Sequence, residues 1–286
     1  MENIVIVMDA GYYIENIREE DLEEIWEIVC ENQWRNYDIE DLRYIISVSP
    51  QCCYKLVMDG VIVGSIFGTL MNETLCISFF CVRSDKRRLN TSMKLGLTIL
   101  RFAEKNAYHV MTYANEKMIG VYKRFGFLQG EYLHKYLAKN KLKNKNPYLN
   151  NVKKLTSSML ETEGFFEDRF ALVKNEWKVF SLYTNATCWN LKSEKGSGYL
   201  FYRQKGEETG TIGPIWGDND EITRELLKYV LEQIGEGIVY ATDNFEIFDS
   251  AYSVEYTGKK VQIMEYKKYT PKDNYKKLVG GHHFVL

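Results

Sequence analysis

The sequence is short of the features that mark several protein classes. No apolar run in its 286 residues approaches the roughly 18 needed for a helix to span a bilayer, so a transmembrane protein is not expected. The opening stretch, MENIVIVMDAG, lacks both a basic leader region and a cleavage site, and the cytoplasm is the expected location. Histidine is scarce: of the four, two (His282 and His283) stand side by side near the end, too few for a histidine zinc site, and no metal is expected. The six cysteines show neither paired metal-ligand spacing nor a compact disulfide framework, and most lie in apolar stretches. They read as buried, reduced thiols. Excess charge is lacking too. Lys+Arg 37 against Asp+Glu 39 leaves a net charge of -2, so no global field draws the chain to nucleic acid or to an acidic membrane. Any anion site must be local.

What is present suits two globular cores. Hydrophobic content of 45% and aromatic content of 14% are ample for packing, and the length accommodates two domains of about 140 residues each. In the first half, an extended YYIENI precedes REEDLEEIWEIVCENQW, where Leu22, Ile25, Trp26 and Val29 recur at helical spacing. DIEDLRYIISV predicts a second helix with Asp38 as N-cap. Three strands follow, joined at Asp59-Gly60, a strong hairpin pair, and at Asn72-Glu73. A helix from about Leu89 to Lys105 should bury Met93, Leu97, Leu100 and Phe102. Then come a strand HVMTYAN, a helix EKMIGVYKRFG and a strand FLQGEYLHKYLA. This order predicts an α/β (α+β) fold whose mixed, mostly antiparallel sheet contains one parallel crossover.

Residues 139–151, basic and rich in asparagine, read as a linker rather than a nucleic-acid arm, since Tyr148 is their only aromatic residue. Beyond it, a helix is expected around MLETEGFFEDRFALVKN, then strands KVFSLYTN, GSGYLFYRQ and TGTIGPIW. The helix DEITRELLKYVLEQIG, a strand GIVYATDN, a short helix FEIFDSAY and a strand VQIMEYKKY follow. Strand, helix, strand, helix, strand thus occurs in both halves, as in two divergent copies of one fold. The expected domains are 1–138 and 152–286. The closing GGHHFVL is expected to add an edge strand.

The chemistry concentrates in CVRSDKRRLNTSMKLG. A pyrophosphate needs converging backbone N–H groups in front of a helix N-terminus, and Arg87-Arg88-Leu89-Asn90-Thr91-Ser92 lies between a strand and an amphipathic helix, as that requires. Its pattern resembles the Arg/Gln-x-x-Gly-x-Gly/Ala signature of the GNAT superfamily of acyl-CoA-dependent N-acyltransferases. Val82 stands five residues before Arg87, Ser84 takes a place where proline is common, and Asn90 and Ser92 replace the two small residues. A second match follows: Asn115, Tyr122, Gly126 and Phe127 reproduce the family's Asn-x6-Tyr-x3-Gly-Phe.

The resemblance implies tandem GNAT-like domains, with acetyl-CoA as cosubstrate and a primary amine, on a small molecule or a peptide, as acceptor. Phe80, Cys81 and Val82 would bind the pantetheine arm and polarise the thioester; Arg88, Leu89, Asn90, Thr91 and Ser92 would offer N–H groups to the pyrophosphate, with Arg87 and Arg88 adding charge. Tyr122 would protonate the departing thiolate, and Asn115 would contact pantetheine or support the strand. Each has a plainer alternative: Tyr122 as a packing residue, Asn115 as an N-cap, the arginines as solvated side chains. A thiol nucleophile at Cys81 is a further alternative, although no histidine lies nearby in sequence. No general base stands out. In the second half, Asp218, Asp220 and Glu221 crowd the corresponding helix start, and Tyr252 falls one residue beyond the spacing from Asn244. That half resembles a degenerate GNAT-like domain that shapes the acceptor site or an interface, and a homodimer is compatible with it. The alternative function, motivated by the missing glycines, is an acyl-CoA-sensing or protein-binding module that keeps the fold without transfer activity.

Overall fold

In the computed structural model, the described residues are 5–9, 11–34, 37–71, 74–87, 91–141, 151–155, 187–204, 209–241 and 252–266. They form mixed α/β structure in two compact units. The first comprises Met1–Gly130 with Met264–Pro271, the second Glu131–Ile263 with Lys272–Leu286.

The first unit begins with β1 (Val5–Asp9) and β2 (Tyr12–Asn16), an antiparallel pair, then α1 (Leu22–Glu31) and α2 (Ile39–Val48). Asp38 caps α2, its carboxylate accepting from the Asp41 N–H at 3.2 Å. Next come β3 (Tyr54–Met58), β4 (Val61–Met71) and β5 (Thr74–Val82). Asp59 and Gly60 turn β3 into β4 with φ of 51° and 81°, the left-handed pair that a two-residue hairpin requires. Then α3 (Thr91–Lys105), β6 (His109–Ala114), α4 (Glu116–Arg124) and β7 (Phe127–Asn140) follow. The strand order is β1-β2-β3-β4-β5-β6, antiparallel except for β5 and β6.

One sheet face buries α3 through Leu95, Ile99 and Ala103 against Ile66, Leu75, Ile77 and Val82. The expected face was partly wrong: Leu97 is 41% exposed, while Met93 and Phe102 are only half buried. The helix is rotated by its neighbours. Gly96 faces the Phe125 ring, which an added side chain would meet at 2.5 Å, and Leu95 and Ile99, rather than Leu97, lie on the sheet. On the other side, Lys55 of β3 is nearly buried and pairs with Asp21 at 2.5 Å and Glu15 at 3.1 Å. The Asp21 carboxylate also accepts the Arg18 N–H at 2.7 Å.

In the second unit the order is β13-β7-β12-β11-β10-β9-β8, from β8 (Val152–Leu155), β9 (Thr187–Ser193), β10 (Gly196–Arg203), β11 (Thr211–Gly217), β12 (Glu236–Ala241) and β13 (Tyr252–Tyr266). Helix α5 (Asp220–Ile234) connects the parallel strands β11 and β12. Its Ile222, Leu226, Leu227, Val230 and Leu231 pack on Leu200, Ile212 and Val239. The helix start is satisfied internally: Asn219 accepts the Ile222 N–H at 3.0 Å, and Asp218 is held by the Ser197 N–H at 2.8 Å.

Two expectations need correction. Strand β7 continues past Ala138, with Lys139 opposite Glu236 and the Asn140 N–H donated to the Gly235 carbonyl, so the first residues assigned to a linker are strand. Tyr252 begins β13 rather than ending a helix, and that strand starts well before Val261. Residues 142–150, the helix expected from Met159, the strand expected from Lys178, most of FEIFDSAY and the GGHHFVL tail lie outside the described residues. Strands β1, β8 and β9 were missed.

Candidate active site

The site grows from a parting of two strands. β5 and β6 pair in parallel from Thr74 opposite His109 to Ile77 opposite Thr112, and the pairing ends there although β5 runs on to Val82. Across the other edge of β5, Ser65 of β4 faces Cys81 and Phe67 faces Ser78, so Phe79 and Phe80 together stand opposite Ile66. This is a β-bulge, which bends a strand and re-aims its backbone groups. Phe79 has φ 43°, a left-handed conformation that costs a bulky residue about 1–2 kcal/mol unless its surroundings enforce it. Phe80 turns to the opposite face, its ring 6.4 Å from that of Tyr122 and 6.1 Å from that of Phe125.

Tyr122 projects from α4 to the point where the strands part. The Thr112 hydroxyl lies 2.9 Å from the Ile77 carbonyl and 3.4 Å from the Tyr122 oxygen, linking the last paired residues to the phenol. Tyr122 is 6% exposed. Burial pushes its pKa up to about 12, more than the Thr112 hydroxyl pulls it down. The phenol therefore keeps its proton at any ordinary pH. Thr112 carries no sequence signal of its own, as one polar residue in a strand.

The loop that follows β5 is tied to α1. Asn32 donates from Nδ2 to the carbonyls of Ile28 (2.8 Å) and Val82 (3.2 Å), and its Oδ1 accepts from Arg87 Nη2 at 2.9 Å. Arg87 Nε reaches the Val82 carbonyl at 3.3 Å. Two of the five guanidinium donors are thus committed within the protein, a use that the motif did not foretell. The Glu31 carboxylate accepts the Ser84 N–H at 2.7 Å, a bond that a proline there would forbid. The Ser84 hydroxyl and amide hold Glu31 below the usual carboxylate range.

Arg88, Leu89 and Asn90 lie outside the described residues, and α3 opens at Thr91. Ser92 is helical and is not among the positive-φ positions, so its side chain carries none of the backbone cost that would demand glycine. Asn115 caps α4, its side chain accepting the Met118 N–H at 3.2 Å. The plainer alternative thus accounts for its Oδ1. The structure brings Phe80, Cys81, Val82 and Tyr122 around the strand parting and gathers Arg87 at the strand's end.

Cys81 is 1% exposed, and burial pushes its thiol up to about 12, more than the Arg87 guanidinium and the Trp34 indole lower it. A neutral, buried thiol is a poor nucleophile. Burial likewise pushes Cys52 and Cys76 up to about 12, and Cys53 and Cys188 further. Cys30 alone among the six is exposed. A thiol-reactive dye should therefore label one thiol quickly in the native protein and the other five only on unfolding. Rapid labelling at Cys81 would reinstate it as a candidate nucleophile. Among the described residues no group of three histidine, cysteine or acidic side chains is placed to hold a metal ion, and no helix is long and apolar enough to cross a membrane.

Comparison with known proteins gives this geometry a family. Residues 12–127 match the acetyltransferase (GNAT) family model. Over most of its length the chain is similar in structure to a putative acetyltransferase from Pyrococcus horikoshii, at 16% identity and TM-score 0.67, covering 91% of this chain and 90% of that one. A GCN5-related N-acetyltransferase from Sphaerobacter thermophilus is similar at 11% identity and TM-score 0.56, covering 93% and 99%. A probable N-acyltransferase from Enterococcus faecalis is similar at 12% identity and TM-score 0.58, covering 89% and 71%. At such identities the likeness is one of fold. No curated protein matches the chain. Residues 12–127 are a domain of the GNAT family, and the protein is an acyltransferase by class.

Proposed function

We propose that the GNAT domain transfers an acetyl group from acetyl-CoA to a primary amine by direct attack, without a covalent enzyme intermediate. The observation that carries this reading is the parting of β5 from β6 with the protonated Tyr122 hydroxyl at its apex. A thioester placed there would find backbone groups of Phe80, Cys81 and Val82 on one side and the phenol on the other. The amine nitrogen bonds to the thioester carbon, the C–S bond breaks, and the amine gives up one proton while the thiolate gains one. Backbone N–H groups near the bulge suit the oxygen that becomes negative, because fixed dipoles need no reorganisation. The buried Cys81 thiol argues against an acyl-enzyme.

The role of Tyr122 is narrower than free proton transfer. Burial raises the phenol above its usual pKa and so weakens it as an acid. Tyr122 serves as a fixed hydrogen-bond donor to the sulfur as its charge develops, and completes the transfer only as that charge peaks. The N-terminus of α3 supports the pyrophosphate, with Arg88 and the uncommitted donors of Arg87 adding charge. The second unit contributes to acceptor selection.

The test is release of free thiol from acetyl-CoA by the full chain with spermidine, amino acids, a lysine-bearing peptide, a peptide with a free N-terminus and an aminoglycoside. Turnover with one class is the expected result. Acetyl-CoA binding without turnover would favour the sensing module, and failure of both would reject the assignment.

A further inference from the structure

We infer that three side chains beyond the end of α1 form a positioning device for the thioester-facing end of β5: Trp34 and Tyr37 hold the Phe79 bulge, and Asn32 holds the Val82 carbonyl. The inference rests on the acyl-transfer reading above. It starts from Phe79, whose positive φ is unusual for an aromatic residue and persists only where packing enforces it. That packing is on the page. The Phe79 ring is 1% exposed and lies 5.0 Å from Trp34, 4.9 Å from Tyr37 and 5.7 Å from Phe67, centroid to centroid. Trp34 and Tyr37 also touch each other, at 5.6 Å.

The turn after α1 is itself fixed. Gln33 sits at φ 65°, the Gln33 N–H bonds to the Cys30 carbonyl at 2.9 Å, and the Trp34 N–H reaches the Val29 carbonyl at 3.4 Å. Asn32, immediately before them, uses its amide for Ile28, Val82 and Arg87 together. Asn32, Trp34 and Tyr37 thus grip β5 at Phe79 and again at Val82, on either side of Phe80 and Cys81. Phe80 points to the other face, toward Tyr122. The aromatic clamp and the phenol therefore act on opposite faces of the same bulge.

Rigidity is what such a clamp supplies. Dipoles stabilise developing charge in proportion to how well they are aimed before reaction, and a displacement of about 1 Å is enough to cost roughly 100-fold in rate. Cofactor affinity depends more on the pyrophosphate end, which Asn32 reaches through Arg87 but Trp34 and Tyr37 do not, so the aromatic pair is the part to loosen. Loosening the clamp should lower kcat while leaving acetyl-CoA binding nearly unchanged. Loss of mere packing would lower thermal stability and leave kcat alone.

The experiment compares the full-length wild type with Trp34→Ala, Trp34→Phe and Tyr37→Leu. Three quantities are read: acetyl-CoA affinity by calorimetry, kcat with the fastest amine of the panel, and the infrared stretch of the ¹³C-labelled thioester carbonyl of bound acetyl-CoA. In the wild type the carbonyl band should lie below its frequency in solution. In Trp34→Ala it should move back toward the solution value, with kcat reduced about 10-fold or more and affinity within about 2-fold. Trp34→Phe should recover most of both. Tyr37→Leu, which removes the other ring packed on Phe79 and leaves Asn32 and Arg87 in place, supplies the same readings if Trp34→Ala does not fold. Unchanged kcat and carbonyl frequency in the folded variants, alongside an active wild type, would overturn the clamp alone. A wild type that neither binds nor turns over acetyl-CoA would overturn the functional reading first, and the clamp with it.

Discussion

Tyr122→Phe is expected to lower kcat for acyl transfer by about 100-fold while leaving acetyl-CoA affinity near the wild-type value, since positioned proton donors contribute roughly 10²–10⁴-fold. The substitution keeps the ring that packs 5.4 Å from Phe127 and removes one buried oxygen, whose hydrogen-bond partner among the described residues is Thr112 at 3.4 Å. Any loss of rate therefore reports on the hydroxyl. Steady-state kinetics and calorimetry on the same preparations separate the two effects. Equal rates for both proteins would remove Tyr122 from the chemistry. The pH profile adds an independent reading. Because burial raises the phenol from its usual 10 to about 12, Tyr122 stays protonated across the working range and produces no alkaline fall in rate below about pH 11. The sign for stability follows. Its folded-state pKa is raised, so its contribution is complete below about pH 10 and is lost as pH rises through 12.

Lys55→Met should have the largest effect on stability in the first unit. The Lys55 ammonium bridges Asp21 and Glu15, with side-chain exposures of 9%, 10% and 16% for the three residues. Methionine matches the length of the aliphatic stem but leaves two carboxylates facing each other in a nearly dry place. Breaking a buried pair from one side costs about 3–5 kcal/mol, which corresponds to a Tm lower by about 10 °C for a unit of this size. Burial alone would lower the lysine pKa, yet the hydrogen bonds and charges of Asp21 and Glu15 more than reverse this and leave it raised. The bridge is thus intact at neutral pH, and on the alkaline side its contribution is lost as pH climbs past the ordinary lysine value of about 10.4. A Tm change below about 2 °C would show that the ion pairs contribute little beyond what the apolar stem supplies. Glu15→Gln in the Lys55→Met background should recover part of the loss, because it removes one of the stranded charges.

These two residues also show what the sequence makes legible. Tyr122 could be found from spacing, because a tyrosine at a fixed offset from a helix-opening asparagine and a closing Gly-Phe is a local pattern. The Asp38 cap and the Asp59-Gly60 hairpin were legible for the same reason. Lys55 was not. Its significance depends on Glu15 and Asp21, which are brought to it by strand pairing and by the turn before α1. The bulge at Phe79 is likewise a matter of register between two strands, and FFCV reads as uninterrupted strand. Strand β9 was missed because TCWNLKS mixes polar and apolar residues on both faces, and its burial is decided by β8 and β10. Leu97 was misplaced by a single helical step, which the inward packing of Gly96 on Phe125 decides. The candidate cofactor residues divide in the same way. The spacing of Val82 and Arg87 was legible as a motif, but their contact and the Asn32 side chain that ties them together, from the end of α1, were not.

The central claim is that the parting of β5 and β6 holds the thioester of an acyl-CoA. A crystal structure of the full chain grown with acetyl-CoA tests it most directly. The account predicts one acetyl-CoA in the first unit, its carbonyl beside Phe80–Val82, its sulfur within hydrogen-bond reach of the Tyr122 hydroxyl, and its pyrophosphate at the start of α3. Acetyl-CoA bound elsewhere, or a parting left unfilled at saturating acetyl-CoA, would contradict it.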